Sequence, residues 1–343
     1  MPWYAVEALD DAYDATRTLL TPFDARQWLR LALVVFFVGS AGSGGPSAAV
    51  GGSTGDPSGV PPGSSGPFGP PGDAALPFSP AEALPFVIVL LGVALVLGLL
   101  YVLIASIMEF VLVESLRRQR VRVRQYADQH LGRALGLFAF RLALGLLVVL
   151  PVAVVALVAL SLAAGESPIA VGVVAVSLPV LVLLGLVVAV VDTVTTNFVV
   201  PVMIQKNVGI VEGWRRFWPT LTDDSKQYGV YGLVWIVLVL AVGVLGSVVG
   251  GVVAAIVAAP VVVVGFFTRP VLGGPMAILS NPVGLAVAAA LLFGYLVVLL
   301  AAMAIVFVPV RSYLGYHALL VLGDSDADLD LIPDLRREIR ERR

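Results

Sequence analysis

The sequence predicts an all-α integral membrane protein with six transmembrane helices and amphipathic interfacial helices. Three observations predict it. Charged residues make up only 13% of a chain that is 59% apolar, with mean hydropathy +0.99, whereas soluble domains carry roughly 25%. The apolar residues are gathered into long blocks instead of being spread with one helical or strand period. Twenty of the 21 lysines and arginines fall on one side of the resulting pattern.

The elements follow in order. Residues 1–28 read as an amphipathic helix on the cytoplasmic surface, because Val6, Leu9, Ala12/Tyr13 and Thr16 recur at helical spacing with Asp10, Asp11 and Asp14 on other faces. Thr21-Pro22 breaks it, and Trp28 is an interfacial anchor. Residues 29–38 are transmembrane helix 1, short enough to borrow Trp28 and the small residues from Gly39 onward. A cleaved signal peptide competes for that apolar run. Its leading region would be short and basic, however, and here Glu7, Asp10, Asp11, Asp14 and Asp24 precede the run. Residues 39–84 are a disordered external loop. Its first 42 residues hold 12 Gly, 9 Pro and 8 Ser, too little apolar surface to order a chain.

Residues 85–323 carry the other five spans and the cytoplasmic interfacial helices between them. Segments 85–108, 142–164, 168–191, 230–259 and 283–308 are free of charge over 23 or more residues. About 20 residues at 1.5 Å rise cross a hydrocarbon core of about 30 Å. Residues 117–124, rich in arginine beside Val111, Leu112, Leu116, Val121 and Val123, read as the second span continuing along the inner leaflet, with 126–140 as a second short amphipathic piece. Those arginines either bind anionic headgroups, at about 1 kcal/mol each near such a surface, or only fix topology. Residues 324–343 are a charged cytoplasmic tail.

Topology follows from charge. Basic residues resist translocation, and only Arg269 lies on the external side, so both termini are cytoplasmic in the cell membrane. The formal net charge of −2 gives no affinity for nucleic acid, and the absence of cysteine excludes disulfides and thiolate chemistry. Arginine far outnumbers lysine, which occurs only as Lys206 and Lys226, and the soluble segments are rich in Asp. That balance suits a salt-adapted archaeon, a halophile, against the plainer reading of compositional bias. The strings Glu109-Phe110-Val111-Leu112-Val113, Asn197-Phe198-Val199-Val200-Pro201-Val202 and Val306-Phe307-Val308-Pro309-Val310 suggest a threefold two-helix repeat. Such strings also arise readily in a Val-rich chain.

Two resemblances rest on particular residues. Asp192-Thr-Val-Thr-Thr-Asn-Phe-Val-Val-Pro201, followed by Val208-Gly-Ile-Val-Glu-Gly-Trp-Arg-Arg-Phe-Trp218, resembles a motif of six-span membrane domains, among them the one attached to some glycerophosphodiester phosphodiesterases. The opening Trp3-Tyr4-Ala-Val-Glu-Ala-Leu-Asp-Asp-Ala, with Thr21-Pro22-Phe23 and Trp28-Leu-Arg-Leu-Ala, is similar to uncharacterised haloarchaeal six-span membrane proteins. The resemblance implies a six-helix membrane fold with interfacial helices. It does not imply phosphodiesterase activity, which belongs to a separate soluble barrel.

Candidate chemistry is sparse. His130 and His317 lack carboxylates at ligand spacing, and a metal site needs three or four converging ligands. No Gly-x-Ser-x-Gly, His-Glu-x-x-His or P-loop string occurs. The expectation is therefore a non-enzyme without catalytic, cofactor-binding or metal residues. Glycines such as Gly246 and Gly250 read as helix-packing positions. The sharper candidates are polar or interfacial: Arg141, Asp192 and Asn197 at span ends, and the aromatic-basic cluster Trp214, Arg215, Arg216 and Trp218. The span-end charges Glu109, Glu114, Arg141, Asp192 and Arg311 either line a solute path or snorkel to the interface, with Asp192 and Glu109 paired to arginines. The expected partners are the lipid bilayer, with anionic lipids or a membrane partner protein, and no particular oligomeric state is implied. A permease or channel is the alternative, and a polar-lined cavity reaching mid-membrane would favour it.

Overall fold

The computed structural model describes residues 3–41, 80–163, 169–272 and 282–342. The external loop expected over 39–84 lies almost wholly outside the described residues, as does the side chain of Arg269. The described chain is helical throughout. Helices α1 (Tyr4–Leu20) and α2 (Ala25–Ala41) lead to α3 (Pro80–Arg118), α4 (Val123–Ala163) and α5 (Ile169–Val194). A π-helix (Thr195–Val199) joins α5 to α6 (Val200–Lys206). Then come α7 (Ile210–Asp223), α8 (Ser225–Leu272), α9 (Pro282–Ser325), a 3-10 turn (Ala327–Leu329) and α10 (Pro333–Glu341).

Five of these helices are long and apolar enough to cross a membrane: Ile88–Arg118, Val123–Leu162, Gly172–Lys206, Ser225–Pro260 and Ala286–Ser325. α2, at 17 residues, is not among them. The long helices exceed what a bilayer requires. α3 has 39 residues and α9 has 44, so each runs roughly 60 Å or more at 1.5 Å per residue. The surplus builds a collar. Phe110, Tyr126, Phe198, Phe217 and Tyr316 are fully buried there, whereas Leu95, Leu157, Val176 and Leu245 in the far halves stay mostly exposed. A surface so apolar demands hydrocarbon around it.

In the collar, neighbouring helices pack in the order α5, α4, α3, α2, α9, α8, and the π-helix closes the row against α9. The expected separate piece over 126–140 is instead the first part of α4, which runs unbroken from Val123 into the apolar block. A helix of good formers has no reason to stop where its surroundings change from collar to lipid.

The buried face of α1 also differs from expectation. Ala5, Ala8, Ala12, Ala15 and Leu19 are buried, while Val6 and Tyr13 are exposed. Small side chains let α1 lie close against α9, near enough for His317 Nε2 to meet the Ala5 carbonyl at 2.8 Å. Size decided the face, not hydrophobicity alone. Asp11, expected to face outward, is buried and pairs with Arg340 at 2.9 Å.

The charged tail folds back onto the collar. Leu329, Leu331, Ile332 and Ile339 are buried. Arg336 pairs with Asp324 (2.9 Å) and Asp330 (2.6 Å), and Arg340 with Asp11 and Asp324 (2.7 Å). These contacts tie α10 to both α1 and α9. The Asp324 and Asp11 carboxylates hold the Arg340 guanidinium pKa well above its ordinary value.

Candidate functional site

At the neck, where the far halves enter the collar, four helices bring their span-end charges together. α3 supplies Glu109, α4 Arg141, α5 Asp192 and α9 Arg311. Arg141 is the hub. Its Nε donates to Asp192 Oδ1 at 3.0 Å, its Nη2 donates to Thr196 Oγ1 at 2.9 Å, and the same nitrogen lies 3.7 Å from Glu109 Oε2. The Arg141 and Glu109 side chains are 7% and 4% exposed and Asp192 20%, so the network is shut away from bulk solvent. Arg311 Nη2 donates to the Val38 carbonyl at 3.1 Å, anchoring the last turns of α2.

The π-helix positions the rest. Its wide turn is closed by the Val200 amide donating to the Thr195 carbonyl, a five-residue step that adds girth to the helix. The Thr195 hydroxyl returns its own proton to the Val191 carbonyl at 2.6 Å and accepts from Trp214 Nε1 at 3.2 Å. Asn197 Nδ2 donates to the Tyr231 hydroxyl at 3.2 Å. Phe198 stacks on Phe217, with centroids 5.4 Å apart, and Tyr228 and Tyr231 meet its edge. Gly213 is required here, because a Cβ would sit 2.9 Å from Met203 Cγ and 3.0 Å from Val199 Cγ1. α6 ends at Asn207 in the left-handed conformation (φ 57°), and Arg133 Nη2 holds its side chain at 2.5 Å.

Glu109, Thr196, Asn197 and Arg311 line a cavity of about 30 Å³. Glu109 Oε2, Arg141 Nη1 and Arg311 Nε are buried without a hydrogen bond to protein. A space of that size with several polar walls suits a water molecule or two. Chemically, the network is two carboxylates facing two guanidiniums. Among the described residues no three His, Asp or Glu side chains converge as a metal site would need.

The structure therefore pairs Arg141 with Asp192, sets Asn197 on the wall of the adjoining cavity, and splits the expected aromatic-basic cluster. Trp214 turns back to the π-helix, and Phe217 enters the core. Arg215 and Arg216 share Glu212 on the outer face at 3.8 and 3.0 Å, and Trp218 is 57% exposed. Thr195, Thr196 and Tyr231 were missed as site residues. The polar run Asp192-Thr-Val-Thr-Thr-Asn197 at the end of an apolar block was the signal that marked the first two.

A family model described as "Family of unknown function (DUF7544)" matches residues 3–332. The chain belongs to that family. The DUF7544 match takes in every residue of the neck network and stops one residue before α10 begins. No curated protein and no solved structure matches the chain.

Proposed function

We propose that this DUF7544 protein is a non-catalytic multi-pass membrane protein that organises lipid or partner proteins at the cytoplasmic face of the cell membrane. In this reading α2 supplies the remaining span, and both termini lie in the cytoplasm with the collar. The observation that carries the reading is the internal consumption of polar groups. The span-end charges neutralise one another at the neck, and the cavity beside them, about 30 Å³, is of water size and leaves no room for a solute. Val211, Arg215 and Trp218 at helical spacing on α7 are all exposed, which supports an outward face able to meet headgroups or protein. The predominance of arginine over lysine and the likeness of the opening segment support a salt-adapted archaeal setting; the two resemblances support a six-helix domain, and the three related span-end strings a repeated two-helix unit.

The test is transport. Purified protein in proteoliposomes should pass ions and small solutes no faster than empty vesicles, and Asp192→Asn should change nothing in that readout. Saturable flux lost in Asp192→Asn would overturn the proposal in favour of a permease.

A further inference from the structure

Most collar arginines meet a carboxylate: Arg118 bonds Glu114, Arg216 bonds Glu212, and Arg336 and Arg340 bond the Asp324 group. A contiguous set behaves differently. Arg26, Arg30, Arg120, Arg122 and Arg124 make no ion pair among the described residues. Arg30 Nη1 donates instead to the Val121 carbonyl at 3.3 Å, which sets the first turns of α2 against the turn between α3 and α4. Arg120 and Arg122 flank Val121, and Arg122 meets only the neutral Gln125 at 3.2 Å. The Asp24 carboxylate is turned to the Arg26 backbone amide at 2.9 Å. All five of these arginines are exposed.

Arg26 also begins an apolar stripe. Arg26, Leu29, Leu33 and Phe36 follow at steps of three and four along one face of α2. Leu29, Leu33 and Phe36, with Val297, Ala301 and Ile305 of α9, wall a groove of about 340 Å³ without a polar side chain. Leu29 and Leu33 are 60% and 49% exposed. A cationic head and an apolar trough thus share one helix face.

We propose that this face holds one anionic phospholipid, its phosphate between Arg26 and Arg30 and one acyl chain along the groove. Guanidinium groups match phosphate oxygens in planar, paired hydrogen bonds, and the uncompensated charge favours an anionic over a zwitterionic headgroup. A soluble anion would leave the groove unused. A second copy of the chain docking by twofold symmetry would bring its own arginine cluster to the same face, like charge against like. The proposal rests on the lipid half of the function proposed above.

The test uses the full-length protein in detergent, given equal amounts of phosphatidylglycerol and phosphatidylcholine with matched chains, the retained lipid being counted by native mass spectrometry. The wild type should retain phosphatidylglycerol preferentially, and Arg26→Gln with Arg30→Gln should cut that preference by roughly fivefold per arginine. Arg26→Lys with Arg30→Lys, which keeps the charge, should preserve most of it. Ala301→Trp fills the groove without touching a charge and should lower phosphatidylglycerol retention. Excess inorganic phosphate should not displace the lipid. Equal retention of the two lipids by the wild type, an unchanged preference in the double Gln variant, displacement by phosphate, or full retention in Ala301→Trp would each overturn the proposal. So would a dimer that the Gln variants dissociate, since a second copy would then be the occupant. Any of these outcomes leaves the partner-protein half of the proposed function standing, whereas saturable solute flux would remove that function and leave the lipid count untouched.

Discussion

At Arg141 a single guanidinium serves groups from three elements, α3, α5 and the π-helix. Desolvating such charges costs several kcal/mol per ion, and mutual attraction only offsets that cost. Removing the hub is therefore far worse than never having built the network, because Glu109 and Asp192 would be left facing each other in a buried site. We predict that Arg141→Ala destabilises the protein by about 3–5 kcal/mol, read as a lowered unfolding midpoint in detergent. Arg141→Lys should recover only part, since a point charge replaces a planar fork. An unchanged midpoint in Arg141→Ala would mean the pairs contribute nothing. These residues were visible in the sequence because an ionisable group ending a charge-free block has few places to go. Their mutual contact was not. Glu109 and Arg311 lie some 200 positions apart, and hydropathy says which residues avoid lipid without saying which helices become neighbours. The π-helix was hidden for another reason: nothing in the residue types of Thr195–Val199 marks a wide turn, and only backbone hydrogen bonding distinguishes it.

Among the elements, α1 and α10 show how far a pattern carries. The 3.6-residue period located α1 well, but its alanine face packs and its Val6 and Tyr13 face does not, because close approach to α9 rewards small volume over apolar area. For α10 the charges that marked a solvated tail are the ones that dock it. We predict that Arg340→Gln speeds proteolytic cleavage after Ser325, followed by mass spectrometry, while the bundle itself stays intact. Cleavage at the wild-type rate would show that the buried Leu331 and Ile339 suffice alone. Alkali offers no route to the same release. A raised folded-state pKa gives stability that is complete below the unfolded value and is lost only as pH rises through the folded one, so raising pH toward 10 should leave the docking of α10 by Arg340 unchanged.

For the whole molecule, five membrane-crossing helices were legible as charge-free blocks, and the collar was not, because the same residue types build both a lipid-facing and a protein-facing helix. The prediction at this scale concerns sidedness. The chain has no cysteine, so Ser64→Cys and Glu341→Cys are each unique targets for a membrane-impermeant maleimide. In sealed inverted vesicles only Glu341→Cys should react. Labelling of both, or of Ser64→Cys alone, would refute the proposed orientation.

Because α4, α8 and α9 pass from membrane to collar without a break, each is a lever whose fulcrum is the neck. A rod cannot lean at one end alone. Spans adjust their lean to bilayer thickness at fractions of a kcal/mol per Å of mismatch, and that rocking must reappear, reversed, on the far side of the pivot. We therefore expect spin labels at positions 211 and 334 to change their separation as the acyl length of the surrounding lipid is varied. A separation indifferent to acyl length would mean the joint absorbs the motion and the rods act as mere posts.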